Sequence, residues 1–129
     1  MARPKNLRYL KTHEWCRVEG EFAWIGITDY AVSHLNEIVF LDLPDVGSDV
    51  MAHEPFGEIE SIKTVADLYA PVTGQIVERN DELAQELDTL PKDPFGKGWM
   101  LKIRMEKPAE FDALLDDAAY QKVINAEKH

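Results

Sequence analysis

The sequence predicts a mainly β protein that ends in short helices. Two neighbouring segments near the start are rich in aromatic and β-branched residues, and short apolar runs broken by proline and glycine recur through the middle. Apolar residues at a spacing of three to four are confined to one short stretch after residue 28 and to the end of the chain.

The first pair of segments, Glu14–Glu19 and Phe22–Ile27, flanks a turn at Gly20 and reads as a β-hairpin. Thr28 then offers a hydroxyl as N-cap, Ala31 and Leu35 recur at helical spacing, and Asn36 is suited to a left-handed stop, so one short helix follows the hairpin. Residues 38–43 form an apolar run closed by Pro44 and Gly47, the pattern of a buried strand. Residues 56–62 alternate imperfectly, with Glu58 and Glu60 set against Ile59 and Ile62. Further strands are expected over 68–71, 74–78 and 99–105, with Pro71 and Gly74 marking a turn. Residues 80–98, with Pro91, Pro94, Gly96 and Gly98, are the least regular stretch. Pro108 sits where a first helical residue belongs. Phe111, Leu114 and Leu115, then Tyr120, Val123 and Ile124, predict two short C-terminal helices. No composition shift, linker or repeat divides the chain, so residues 1–129 are expected to form one domain, with a core over about 7–105 and a helical segment over about 107–126.

Fourteen basic residues against 24 acidic ones give a formal charge of -10, which disfavours binding to nucleic acid or to an anionic membrane surface and favours basic protein partners. Cys16 is the sole cysteine, so no internal disulfide can form and a cytoplasmic setting is expected. The basic start leads into no apolar stretch of signal-peptide length, and no later run is long enough to span a bilayer.

Candidates for catalysis are few. His13, Glu14 and Cys16 lie close in sequence and would suit a thiol enzyme, but on an alternating strand Glu14 and Cys16 share a face while His13 points away. His34 and Glu37 are separated by the helix stop at Asn36, and no second histidine completes a metal set, so no metal site is expected. The stretch 93–99 holds two glycines and a lysine but precedes a strand instead of opening a helix, and reads as a turn. Trp15, Trp24 and Trp99 each fall in a strand pattern and read as core or barrel-surface aromatics. Lys63, between two strand-like runs, reads on pattern alone as an exposed strand lysine.

The surrounding residues change that reading. The run from Glu58 to Gly74, which includes Glu60-Ser61-Ile62-Lys63 and Asp67-Leu68-Tyr69-Ala70-Pro71-Val72, resembles the lipoyl-attachment motif of glycine cleavage system H proteins. His13-Glu14-Trp15, the stretch 25–31, Ile38-Val39-Phe40, Leu43-Pro44, Gly47, Asp93-Pro94 and Gly98-Trp99 resemble the same family in order and spacing, over about residues 7–120. Asn36 and His53 stand where the family often has glycine, and Leu87, Thr89 and Pro91 replace its usual residues before Asp93.

The resemblance implies a lipoyl/biotinyl-carrier-like barrel-sandwich hybrid and a carrier, not an enzyme. Lipoate would be attached covalently to Lys63. Glu60 and Gly74 would help the lipoate-attaching enzyme recognise the site, and Ile59 and Ile62 would anchor the strand. Glu14, His34 and Asp67 would lie beside the loaded arm. The implied partners are a pyridoxal-phosphate glycine decarboxylase that loads an aminomethyl group, a folate-dependent aminomethyltransferase that removes it, and dihydrolipoyl dehydrogenase that reoxidises the arm. A monomer is expected. A biotin carrier is the nearest rival, but it normally has methionines beside the lysine, where Ile62 and Thr64 stand here. A 2-oxoacid dehydrogenase lipoyl domain fits the long terminal extensions less well.

Overall fold

A computed structural model describes residues 3–127. In chain order the elements are β1 (Leu7–Tyr9), β2 (Glu14–Glu19), β3 (Phe22–Ile27), α1 (Asp29–Leu35), β4 (Ile38–Asp42), β5 (Asp49–Val50), β6 (Pro55–Ser61), β7 (Val65–Tyr69), β8 (Gly74–Arg79), α2 (Asp81–Gln85), α3 (Thr89–Lys92), β9 (Leu101–Met105), α4 (Ala109–Asp112) and α5 (Asp117–Glu127). The strands build a six-stranded sheet in the order β1-β2-β3-β9-β8-β5 and a three-stranded sheet in the order β4-β6-β7. Every strand pair is antiparallel. The fold is mainly β with a few short helices, as the sequence predicts.

The main core lies between the two sheets. Cys16, Ala23, Ile25, Ile76 and Ile103 from the larger sheet share one apolar cluster with Leu41, Ile59 and Leu68 from the smaller. A second cluster covers the other face of the larger sheet, where Leu7, Tyr9 and Trp15 pack with Phe95 and with Tyr120 and Ile124 of α5. Both faces of β2 are therefore covered, so Trp15 and Cys16 are both buried although they point to opposite sides. Tyr9 and Tyr120 stack with ring centroids 4.3 Å apart, and the bridge between Tyr9 and Leu115 ties the C-terminal segment to the edge of the sheet.

The hairpin of β2 and β3 closes at Glu19 opposite Phe22, with Gly20 at φ +62°. Thr28 caps α1 by accepting a hydrogen bond from the Ala31 amide. Asn36 ends that helix with φ 61° but ψ -135°, so the positive φ is present without the full left-handed helical geometry. His53 also adopts a positive φ of 70°, so the turn survives the replacement of glycine.

Several expectations need correction. The run over 38–43 is a strand, but it forms the edge of the small sheet, and only Leu41 within β4 is buried while Val39 and Phe40 face solvent. Ile62 does not anchor a strand: β6 ends at Ser61 and Ile62 is exposed. Gly74 is not a turn residue. It opens β8 opposite Met105, where a side chain would overlap the Arg104 carbonyl oxygen and come within 2.7 Å of an Ile103 methyl. The irregular stretch 80–98 contains α2 and α3, which are short helices without side-chain caps. The short strands β1 and β5 carry too few residues to show a period of their own.

Candidate functional site: an exposed lysine tip and an acid-lined cleft

Lys63 sits in the turn joining β6 to β7, just beyond the last ladder pair, Glu60 with Val65. The turn is held by its own backbone and by one hydroxyl. The Ser61 amide donates to the Thr64 carbonyl at 2.8 Å, and Ser61 Oγ accepts from the amides of Lys63 and Thr64 at 3.3 and 3.2 Å. The Ile62 amide donates to the Glu37 carbonyl at 3.0 Å, which fastens the tip to the entry of β4. With its backbone satisfied in this way, the tip presents an exposed Lys63 side chain on a defined loop. Among the described residues Lys63 takes part in no ion pair.

Along β7 from the tip lies a cleft of about 190 Å³ between the small sheet, α1 and the start of β2. Its walls are largely apolar, with Ile27, Ala31, Leu35, Ile59 and Leu68. Glu14, His34 and Asp67 border it together, although they come from β2, α1 and β7. Asp67 and His34 are exposed, and His34 Nδ1 lies 2.9 Å from the Tyr30 carbonyl with its ring against the Tyr30 ring. Glu60, half-buried on β6, lies beside the lysine tip and does not line the cleft. Gly74 belongs to the other sheet.

Glu14 is the unusual member of this group, being only 1% exposed. One carboxylate oxygen accepts from the Thr12 hydroxyl and the other accepts from the Tyr69 amide at 3.0 Å. Burial raises its pKa to about 7, and the hydrogen bonds from Thr12 and Tyr69 moderate but do not cancel that rise. Glu14 is thus poised to change charge near neutral pH at the edge of the cleft. Cys16 is different. It is enclosed in the core, and burial pushes its thiol up to about 12, so it is placed for packing and not for nucleophilic attack.

Sequence reasoning overlooked a polar chain behind the cleft. His13, at φ 80°, places Nδ1 2.7 Å from the Tyr120 hydroxyl and Nε2 3.0 Å from the Glu127 carboxylate. The Tyr120 hydroxyl in turn lies 2.6 Å from Thr28 Oγ1, the cap of α1. With Nε2 protonated, each group has a partner: Thr28 donates to Tyr120, Tyr120 donates to His13, and His13 donates to Glu127. His13, Tyr30 and Glu127 also line the cleft. Glu127 had no local sequence signal because it arrives from the far end of the chain.

Residues 7–127 match the family model described as Glycine cleavage H-protein. The chain belongs to the glycine cleavage H-protein family. It is 50% identical to the glycine cleavage system H protein of Geobacillus kaustophilus over 125 residues, covering 97% of this chain and 98% of the relative. Its identity to the corresponding protein of Bacteroides fragilis is 46%, over 95% of this chain and 98% of the relative. A crystal structure of the H protein from Mycobacterium marinum superposes with a TM-score of 0.87 at 36% identity, covering 95% of this chain and 99% of that one. The family supplies the lipoate-bearing carrier component of the glycine cleavage system. Its fold, two antiparallel sheets with short helices, agrees with the barrel-sandwich architecture expected from the sequence.

Proposed function

We propose that Lys63 carries lipoate through an amide bond and that this chain shuttles the aminomethyl group of glycine between the enzymes of the cleavage system. The reading rests on one observation above others: an exposed lysine on a defined hairpin tip stands at one end of β7, and the cleft bordered by Glu14, His34 and Asp67 lies along the same strand. Lipoate, when attached, supplies a disulfide and dithiol pair on a flexible arm, which carries the reactivity the protein lacks.

The residues present fit such a group. Apolar walls suit an aliphatic arm, and the carboxyls of Glu14 and Asp67 at the cleft suit a cationic amine at the end of a loaded one. Glu60, adjoining the tip, is a contact for the lipoate-attaching enzyme. Gly74 is assigned an indirect part in that recognition, because its missing side chain lets β8 close against β9.

The partners on this reading are a glycine decarboxylase, an aminomethyltransferase, dihydrolipoyl dehydrogenase and a lipoate-attaching enzyme. The chain acts as one carrier domain and as a cytoplasmic monomer. The core shared by both sheets supports a single unit, and no helix among the described residues is long and apolar enough to cross a membrane. The direct test is peptide mapping after incubation with lipoate, ATP and a lipoate ligase. One lipoyl group on Lys63 supports the assignment. A lipoyl group on another lysine, or biotin on Lys63, overturns it.

A further inference from the structure

The last turn of α5 brings Glu127 to the wall of the cleft, yet little in the helix itself holds it there. Tyr120 and Ile124 are buried against the larger sheet, whereas residues 125–127 are exposed. The turn contains no basic residue and places the acid Glu127 at its end, where the negative pole of the helix disfavours a carboxylate. Among the described residues, the side-chain hydrogen bonds that tie residues 125–127 to another element all run between Glu127 and His13, whose Nε2 lies 3.0 Å from each carboxylate oxygen.

His13 is a fixed point for that contact. Its amide donates to the Leu10 carbonyl and its carbonyl accepts from the Thr28 amide, both at 3.0 Å. Its ring packs against Tyr30 and Tyr120, with centroids 4.8 and 5.6 Å away. A carboxylate can only accept, so Nε2 carries the ring proton and Nδ1 is left to accept from the Tyr120 hydroxyl. The tie therefore runs from a rigid, half-hidden imidazole to the exposed end of a helix, with the two side chains 14% and 45% exposed.

What the tie delivers is charge. Glu127 lines the cleft together with Glu14 and Asp67, and no lysine or arginine is among the lining residues. One imidazole donor leaves most of the acceptor positions of the Glu127 carboxylate free. Three acids set against apolar walls favour a cation and disfavour an anion.

We infer that His13 is a positioning residue: it fastens the last turn of α5 to the cleft and so holds the Glu127 carboxylate there as a third acid for the cationic amine of a loaded arm. The part that concerns the arm rests on the proposed attachment at Lys63, whereas the tie belongs to the protein without lipoate.

The test separates the tie from the charge. Glu127→Gln keeps an oxygen that accepts from His13 Nε2 and loses the charge, and Glu127→Ala loses both. His13→Asn loses the tie and keeps the charge, and asparagine tolerates the positive φ of this position. In unlipoylated protein, amide exchange of residues 125–127 followed by NMR should be about fivefold faster in Glu127→Ala and His13→Asn and unchanged in Glu127→Gln. For the charge, each protein is lipoylated, checked by intact mass, loaded to the same extent with glycine and the decarboxylase, and separated from that enzyme. Formaldehyde release is then followed at one pH. In that breakdown the free amine lone pair expels the thiolate, which leaves with the electrons of the C–S bond, and the methaniminium ion adds water to give formaldehyde and ammonium. Protonation of the amine blocks the first step. All three variants should release formaldehyde about two- to fivefold faster than wild type. Glu106→Gln, which replaces an exposed acid outside the cleft, should match wild type. Unchanged exchange in Glu127→Ala overturns the tie, whether or not His13→Asn folds. Wild-type release from Glu127→Gln, or an equal rise in Glu106→Gln, overturns the part played by the carboxylate. A lipoyl mass missing from Lys63 would show the attachment itself to be wrong and overturn the part that concerns the arm, with the exchange rates still deciding the tie.

Discussion

The buried carboxyl of Glu14 gives the structure a pH dependence that one substitution should remove. Its pKa of about 7 lies above the 4.5 of an unburied glutamate, so the folded state holds the Glu14 proton more tightly than the unfolded state does. A group raised in this way favours folding fully below about pH 4.5, and that contribution is lost as pH rises through about 7. At about 1.4 kcal/mol for each tenfold difference in proton affinity, the full contribution is about 3 kcal/mol. Because the sequence pI is about 4.8, solubility restricts measurement to pH 5.5 and above, where about 2 kcal/mol of the loss remains to be seen by pH 8. In Glu14→Gln the single amide oxygen can accept from the Tyr69 amide while the amide nitrogen donates to the Thr12 hydroxyl, and the side chain binds no proton in this range. Urea unfolding at a series of pH values should therefore show the variant gaining about 2 kcal/mol on wild type between pH 5.5 and 8, at a constant m-value. The histidine contributions cancel in that difference. Parallel profiles for the two proteins would refute the reasoning and place the Glu14 carboxyl in contact with water.

Three further substitutions test the lysine tip and the packing of the fold. Lys63→Arg should abolish lipoylation while leaving stability within about 0.5 kcal/mol, since an exposed side chain with no ion-pair partner among the described residues is replaced by one of equal charge; denaturant unfolding and intact mass check the two halves. Gly74→Ala should destabilise by about 1–3 kcal/mol because the new methyl meets the Arg104 carbonyl and Ile103, and an unchanged melting temperature would contradict that packing. Tyr120→Phe should cost about 1–3 kcal/mol by leaving His13 Nδ1 and Thr28 Oγ1 without their shared partner, and calorimetry should show it as a lowered Tm.

Local signals were sufficient for the first hairpin, the capped α1 and α5, but α4 ends at Asp112, so Leu114 and Leu115 lie beyond the helix their spacing predicts, and Leu115 bridges to Tyr9 instead. Gly20, Thr28 and the spacing of Tyr120 and Ile124 act within a few residues of where they stand. Position within a sheet was not legible. Residues 38–43 have the composition of a buried strand, but a strand at a sheet edge with a ladder irregularity exposes Val39 and Phe40, and neither condition is written in the run itself. Gly74 reads as a turn residue from its neighbours, whereas its cause is a carbonyl on β9 that sequence distance conceals. For the site, the motif around Lys63 was legible through family resemblance, and the structure then sets Glu14, His34 and Asp67 around one cleft. The polar chain through His13, Tyr120, Thr28 and Glu127 was not legible, because it joins the residue before β2, the cap of α1 and helix α5 through side chains up to 114 residues apart.

The central claim is that Lys63 is the point through which this chain carries an aminomethyl group. The most direct measurement is glycine cleavage in a system reconstituted from the decarboxylase, the folate-dependent aminomethyltransferase and dihydrolipoyl dehydrogenase, followed as transfer of labelled glycine C2 to folate. The lipoylated wild type should support turnover, while the unlipoylated wild type and Lys63→Arg, both folded, should support none above the carrier-free background. Turnover by folded Lys63→Arg at the wild-type rate would contradict the account.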